Sequence, residues 1–312
     1  SLLLLLTLAC NTPKNQSTVP VIGFLDFIDD PTIALAKKGF FDALEKNGFS
    51  EKDKTIIVEY ANAQGDIPVL GQACDLLISK KPTLIATNIT LPTITTAKRT
   101  KEIPIFMMVA PRPDIAGLTD ANGKAPSNLF GVYETLDYLD TSVTLIHLLK
   151  PDIKIVGTIY NQSEPQSADA FKKLEEGCNR EGIQLVSLPV NNSAETQLVM
   201  QALLTKKIDA FFALPDNIIF ASFETVLASC NKASIPIFTS EAGLVSRGAV
   251  ASFGADFYQW GYQSGLQAVL FLKSGKTEGI APEIVALRSR VYNKSQAEKF
   301  NIQPDSTFKI YP

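Results

Sequence analysis

The strongest constraint on the fold is a buried strand that runs directly into a helix. A near-continuous apolar run, Ile155–Tyr160, is typical of a strand in a parallel sheet. It ends at Asn161, after which Ser163 and Gln166 have the spacing of a capping box and Pro165 suits a first helical turn. Polar side chains and free backbone N–H groups are therefore expected at the C-terminal end of a strand, where open parallel sheets bind small ligands.

The same strand–helix alternation occurs in both halves of the chain. Strands are predicted at residues 19–25, 55–60, 83–89, 103–109, 153–160, 184–189, 210–214, 235–239 and 250–253. Helices are predicted at residues 30–46, 66–79, 136–149, 164–181, 194–204 and 218–230, with one opened by Thr90 and a long one ending near Lys273. The polar, glycine-containing segment 117–131 is predicted to lead from one half to the other.

This alternation predicts an α/β fold with parallel sheets and right-handed crossovers. A chain of 312 residues is too long for one comfortable core, so two Rossmann-like lobes are expected, and their similar length indicates a structural duplication. The net charge of −3 and the pI near 5.4 argue against nucleic acid as a partner, because binding phosphate requires a basic surface.

The N-terminal sequence SLLLLLTLAC is typical of the end of a signal peptide. A small residue followed by Cys10 resembles a bacterial lipobox, so residues 1–10 are interpreted as a truncated signal peptide whose cysteine is lipidated. Residues 11–18 would form a tether, and the protein would lie in the cell envelope, facing the periplasm or the exterior. The alternatives are an apolar strand or a cleaved signal with an incidental cysteine.

The sequence offers little for catalysis. Cys74, Cys178 and Cys230 form no metal-binding pair and are predicted to be buried free thiols. His147, the only histidine, lies in an apolar helix with no nucleophile motif beside it, and phosphate-binding and dinucleotide-binding glycine motifs are absent. The expectation is a protein without catalytic residues, metal or cofactor. The aromatic residues near predicted strand ends are candidates for a pocket lining, with core packing as the alternative for each: Phe24, Phe27, Tyr133, Tyr160 and Phe257. Trp260 is expected to pack its helix against a sheet.

Polar residues recur where predicted strands end, at Asp30, Thr90, Ser163, Asp216 and Ser240. One such junction is weak evidence, because every helix requires a cap. Their recurrence in both halves predicts a polar edge on each lobe, and two facing edges form a cleft.

The chain resembles the type I solute-binding lipoproteins of ABC importers, in the branch linked to aromatic and other hydrophobic amino acids. The resemblance covers residues 18 to about 285 and rests on segments such as GFFDALEKNGF, LIATNITLP, IPIFMMVAPRPDIAGL, IVGTIYNQSEPQSADAFKKLEE and IDAFFALPDNIIFASFETVLA. It implies two lobes joined by a three-crossing hinge, which closes over a solute. The expected lobes are residues 19–131 plus 255–283 and residues 132–254 plus 284–312.

The resemblance also implies a set of ligand contacts. They are Thr90, Leu91, Asn161, Glu164, Gln166, Ser167, Asp216, Asn217, Glu241 and Asp256. An amino-acid carboxylate suits a helix start, and an ammonium group requires an acid such as Asp216. Asp26 and Asp30 stand where the family has Gln and His, and they are also expected to contact the ligand, because their charge favours a more polar or cationic one.

The leading hypothesis is a monomeric, lipid-anchored binding protein that delivers an amino-acid-like solute to an ABC permease. A ligand sensor of the same fold, docking to a membrane receptor, is the alternative. An enzyme on an α/β scaffold is a third hypothesis, since fold alone does not specify chemistry.

Overall fold

The computed structural model describes residues 19–311, and we number its elements in chain order. The strands are β1 Val21–Asp26, β2 Ile57–Asn62, β3 Leu84–Asn88, β4 Ile105–Pro111, β5 Leu129–Glu134, β6 Ile155–Tyr160, β7 Gln184–Pro189, β8 Ala210–Ala213, β9 Ile237–Thr239, β10 Ala251–Ala255, β11 Glu283–Ile284, β12 Arg288–Tyr292 and β13 Lys309–Ile310. The helices are α1 Ala34–Lys46, α2 Ile67–Ser79, α3 Thr90–Arg99, α4 Tyr138–Leu149, α5 Pro165–Arg180, α6 Thr196–Leu204, α7 Asn217–Ala221, α8 Phe223–Ala233, α9 Ala242–Ser246, α10 Phe257–Ser274 and α11 Lys294–Lys299.

The strands form two sheets, one in each lobe. The first has the order β11-β5-β4-β3-β1-β2, and all of its neighbouring strands are parallel. The second has the order β13-β12-β10-β9-β8-β6-β7, in which only the β10–β12 pair is antiparallel. Both lobes thus repeat one doubly wound strand order, 2-1-3-4-5, which confirms the predicted two-lobed α/β fold.

The chain passes between the lobes three times, from β5 to α4, from β10 to α10 and from β11 to β12. The predicted boundaries at 131/132, 254/255 and 283/284 fall inside β5, β10 and β11. We therefore propose that the lobes divide at residues 135–137, 256 and 285–287 instead.

Strand β5 was missed because its sequence lies beside a polar, glycine-containing segment. Phe130 and Val132 are nonetheless buried, and Gly131 has a φ of +96°. A Cβ at Gly131 would lie 2.2 Å from the carbonyl oxygen of Met107, so only glycine permits this close pairing of β5 with β4. The predicted helix 218–230 is also two helices, α7 and α8, which meet at Ser222.

Helix α10 returns from the second lobe and packs against α1 of the first. A Cβ at Gly261 would lie 1.8 Å from the carbonyl oxygen of Ala36, so the two helix backbones approach closely. The core also contains Cys74, Cys178 and Cys230, which are buried free thiols as predicted.

Cys10 and the tether 11–18 lie outside the described residues. Between residues 19 and 311, no helix has the length and apolar character needed to cross a bilayer.

Candidate functional site

A cavity lies between the two lobes, next to the crossings. The first lobe contributes the start of α3, the end of β4 and the start of α10, and the second contributes the segments that follow β6, β8 and β9. In each sheet these are the carboxyl ends of parallel strands, where open α/β sheets bind ligands.

One side of the cavity is aromatic. Its four rings are Tyr138, Phe220, Phe257 and Trp260. The ring centroid of Phe257 lies 6.0 Å from that of Phe220 and 5.8 Å from that of Trp260, both in edge-to-face geometry. The indole Nε1 of Trp260 donates a hydrogen bond of 2.8 Å to the carbonyl oxygen of Val132. The rings are therefore held in place before any solute contacts them.

Three buried polar atoms in this cavity have no hydrogen-bond partner among the residues that the structure describes. They are Gln166 Oε1, Asn217 Nδ2 and Glu241 Oε2. Buried polar groups are nearly always hydrogen-bonded in folded proteins, and leaving one unpaired costs about 1–3 kcal/mol. Three such atoms around one cavity indicate a site that holds a polar molecule.

Glu241 is the acidic group of the site. Its Oε1 accepts hydrogen bonds from Ser240 Oγ at 2.8 Å and from the hydroxyl of Tyr138 at 3.4 Å. Burial raises its pKa to about 8, and the nearby carboxylate of Glu134 acts in the same direction. Glu134 itself is paired with Arg288 through bonds of 2.7 and 3.0 Å, whereas no cation pairs with Glu241 in the described chain.

Asp216 lies behind the cavity wall, where it holds two elements together. Its Oδ1 accepts from the backbone N–H groups of Ile218 and Ile219 at 2.8 and 3.1 Å, which caps α7. Its Oδ2 accepts from the N–H of Asn161 at 2.7 Å and from Ser167 Oγ at 2.5 Å. Both oxygens of Asp216 are thus used within lobe two, and the geometry favours a positioning role for it and for Ser167.

The capping box predicted at the start of α5 is wrong. The helix begins at Pro165, and the residue before it, Glu164, makes no side-chain cap. Asn161 forms a local turn, in which its Oδ1 accepts a hydrogen bond of 2.9 Å from the backbone N–H of Ser163. The Nε2 of Gln166 donates a hydrogen bond to Glu164 Oε2. The Oε1 of Gln166 is then left without a partner among the described residues.

The carboxyl groups of Glu164 and Asp216 are close to each other and are both buried. Burial raises the pKa of both, and the negative charge of Asp216 helps to raise that of Glu164 to about 7.

Of the predicted contacts, the structure brings Thr90, Gln166, Asn217 and Glu241 together in the cavity. Leu91, Asn161, Glu164 and Asn217 line an outer part of the cleft, between the same lobes.

Asp26 and Asp256 lie elsewhere. The carboxylate of Asp26 is bonded to Asn88 at 2.8 Å and to Tyr60 at 3.0 Å, with Lys37 at 3.4 Å, all within the first lobe. Burial is the main cause of the raised pKa of Asp26. Asp256 caps α10 by accepting from the N–H of Gln259 at 3.0 Å.

Asp30 faces the other lobe rather than the cavity. Its Oδ2 forms an ion pair of 2.7 Å with Arg247 of the second lobe.

Sequence reasoning missed three cavity residues that have positive φ. They are Ile89 (69°), Val109 (50°) and Leu136 (60°). Bulky and β-branched side chains rarely adopt this conformation, and strained backbones of this kind cluster at ligand sites. No residue type in the sequence signals them, since glycine is the usual occupant. Tyr138, Phe220 and Trp260 were also missed, and only their place in the fold identifies them. Of the aromatic candidates near strand ends, Phe257 lines the cavity, whereas Phe24 is fully buried in the core.

An interlobe cavity in a two-lobed, three-crossing α/β protein defines a type I solute-binding protein. The chain belongs to the family of ABC transporter substrate binding proteins, whose family model matches residues 21–311. It is 34% identical over 263 residues to a tyrosine-binding protein of Clostridioides difficile strain R20291, covering 84% of this chain and 74% of that protein.

Three solved structures from bacteria show the same fold at 25–26% identity. A conserved domain protein of Vibrio cholerae has a TM-score of 0.86, with 94% of this chain and 99% of that one covered. An ABC domain of Streptococcus pneumoniae in complex with L-Trp has a TM-score of 0.85, with 93% of this chain and 97% of that one covered. A ligand-free, open structure of a substrate-binding protein of Clostridium difficile has a TM-score of 0.68, with 94% of this chain and 99% of that one covered. The overall arrangement here is thus more similar to the L-Trp complex than to the open structure.

Proposed function

We propose that this chain is the substrate-binding component of an ABC importer and that it captures an aromatic amino acid between its lobes for delivery to a permease. The observation that carries the proposal is the convergence of three unpartnered polar atoms and an aromatic wall on one cavity. Tyrosine and tryptophan are the ligands of similar proteins.

The polar atoms match the two charged ends of an amino acid. The oxygens Glu241 Oε2 and Gln166 Oε1 are acceptors suited to an ammonium group. Asn217 Nδ2 is a donor suited to a carboxylate, and Thr90 begins α3, whose N-terminal N–H groups favour an anion. A zwitterion would satisfy both kinds of partner at once.

The aromatic wall suits the side chain. Phe220, Phe257 and Trp260 line the cavity, and contacts between aromatic rings add about 0.5–1.5 kcal/mol beyond area burial. A planar, apolar side chain is therefore favoured over a charged or small one.

Thermal-shift and calorimetric titration across the amino acids tests this proposal. L-Trp, L-Tyr or L-Phe at 100 times its dissociation constant should stabilise the protein by about 2.7 kcal/mol. Tryptamine, which lacks the carboxylate, and indole-3-propionate, which lacks the ammonium, should each bind at least about tenfold more weakly. Stabilisation by none of the aromatic amino acids would refute the proposal.

Two variants test whether the solute binds in this cavity. Asn217→Ala removes the buried amide donor and should weaken L-Trp binding about tenfold. Asn122→Ala, at an exposed position of the first lobe, is the matched control and should leave binding unchanged.

We also propose that the protein is extracytoplasmic, acts as a monomer and is lipid-anchored at Cys10 through the tether 11–18. The Leu-rich run that precedes Cys10 supports the anchor. Mass spectrometry of the N-terminal peptide from the native membrane fraction tests it, since a diacylglyceryl group on Cys10 is the expected result. An unmodified cysteine in that peptide would exclude the anchor.

A further inference from the structure

Arg247, at the C-terminal end of α9, is held rigidly by its own lobe. Its Nε and Nη2 donate to the carboxylate of Glu224 at 3.0 and 2.9 Å, and Nη2 also donates to the carbonyl oxygen of Phe220 at 3.0 Å. The guanidinium lies 5.1 Å from the ring centroid of Phe223. These contacts fix the fork of the guanidinium and leave Nη1 directed at the opposite lobe.

The partner of Nη1 is equally well fixed in lobe one. The Oδ1 of Asp30 accepts from the backbone N–H groups of Thr32 and Ile33 at 2.8 and 3.0 Å. Its Oδ2 and the Oγ1 of Thr32 accept from Arg247 Nη1 at 2.7 and 3.2 Å. The side chains of Arg247 and Asp30 are only 11% and 2% exposed, so solvent screens this ion pair weakly.

A second contact brings the lobes together at the same place. A Cβ at Gly243, in α9, would lie 2.3 Å from the Cγ2 of Thr32. The absence of a side chain at Gly243 is therefore what lets lobe two rest on the loop that holds Asp30.

We infer that Arg247, Asp30 and Thr32 form an interlobe clasp, which makes Arg247 a closure-determining residue for solute capture. Each half of the clasp is ordered within its own lobe, so joining them costs little conformational entropy. Because the clasp spans the lobes and none of its residues lines the cavity, it favours the closed arrangement for every solute alike. The role in capture rests on the function proposed above, and the closure itself does not.

Asp30→Asn is the main test. It keeps an oxygen that can accept from the N–H groups of Thr32 and Ile33 and removes the charge that faces Arg247. Thr32→Val is the second variant, because it deletes the Oγ1 acceptor and retains a methyl group against Gly243. The matched control is Asp75→Asn, which removes the ion pair of 3.0 Å with Arg99 inside lobe one.

Closure and solute capture are each measured on the variants in the full chain. Small-angle scattering of the protein without solute reports closure, and titration and stopped-flow release of L-Trp and L-Tyr report capture. We expect Asp30→Asn to increase the radius of gyration, and to raise both dissociation constants by the same factor of about ten, mainly through faster release. Asp75→Asn should change neither quantity.

The outcomes separate the clasp from the proposed function. If no amino acid binds the wild type, the proposed function fails while scattering still decides on closure. Scattering and release rates in both clasp variants equal to those of the wild type would overturn the clasp, as would a change in selectivity between L-Trp and L-Tyr without a change in closure. In the absence of any binding, unchanged scattering alone overturns it.

Discussion

Glu241 should make solute capture depend on pH. It is buried, its pKa is raised to about 8, and its Oε2 has no partner in the described protein. Below that pH the carboxyl is protonated in the closed arrangement, whereas an ammonium group binds the ionised form. The cation nearest in the network, Arg288, is already paired with Glu134. An amino acid should therefore displace a proton from Glu241 when it binds.

The size of the effect follows from the ionised fraction. With a pKa of about 8, that fraction is roughly 1% at pH 6, 10% at pH 7 and one half at pH 8. Since apparent affinity scales with the competent fraction, the dissociation constant should fall about tenfold from pH 6 to pH 7 and about fivefold from pH 7 to pH 8.

Stability of the protein without solute should change in the opposite direction. A carboxyl whose pKa is higher in the folded protein favours folding below its ordinary value of 4.5. That contribution is lost as pH rises through about 8, so the melting temperature should fall across this range. The stabilisation given by a solute should grow over the same range.

Calorimetry of L-Trp binding at pH 6, 7 and 8, in buffers with different ionisation enthalpies, measures both affinity and proton release. Glu241→Gln is the control, because it keeps the shape and removes the titration; the variant should bind more weakly and show a flatter pH profile. Glu164, whose pKa is about 7, titrates in both proteins and cancels in the comparison. A wild-type dissociation constant that is the same at pH 6 and pH 8 would refute the reasoning.

Other consequences of the structure are open to direct measurement. Gly261→Ala forces a Cβ to within 1.8 Å of the carbonyl oxygen of Ala36 and should lower the free energy of unfolding in urea by about 1–3 kcal/mol or more, so an unchanged midpoint would contradict the close helix contact. Phe257→Leu removes one ring of the aromatic wall and should weaken L-Trp binding about twofold to tenfold with little change in L-Leu binding; equal losses for both would argue against an aromatic subsite. Cys178 and Cys230, whose pKa is raised to about 12 by burial, should react with thiol reagents only after unfolding, and rapid labelling of the native protein would show that they are accessible.

The central strands of both lobes were predictable because parallel strands buried on both faces have almost continuous apolar sequences, as in Ile155–Tyr160. The edges were not. Strand β12, Arg288–Tyr292, has the sequence RSRVY, and β11 is only two residues long. Their pairing depends on where the chain returns after α10, which is a tertiary fact that local sequence does not carry.

The site shows a similar division. The rule that polar residues at carboxyl ends of strands face a cleft, together with the family resemblance, predicted Thr90, Gln166, Asn217 and Glu241, which the structure brings to the cavity. It equally selected Asp216, whose oxygens cap a helix and hold the neighbouring loop. A carboxylate at a strand end has the same sequence signature whether it caps or binds, and only the partners of its oxygens distinguish the two.

Closing the cavity without a solute costs the protein free energy, and a solute that binds in the cavity removes part of this cost. The backbones of Ile89, Val109 and Leu136, which border the cavity, have positive φ, a sparsely populated conformation that costs about 1–3 kcal/mol each for ordinary residues. The unpartnered atoms of Asn217 and Glu241 add the penalty of buried groups that water would hydrate in an open cleft. A ligand shifts a conformational equilibrium only by its difference in affinity for the two states, and groups that find partners solely in the closed state provide that difference. The interlobe clasp acts on the same equilibrium from outside the cavity and favours closure even without a solute, so the solute and the clasp together set how far the lobes close.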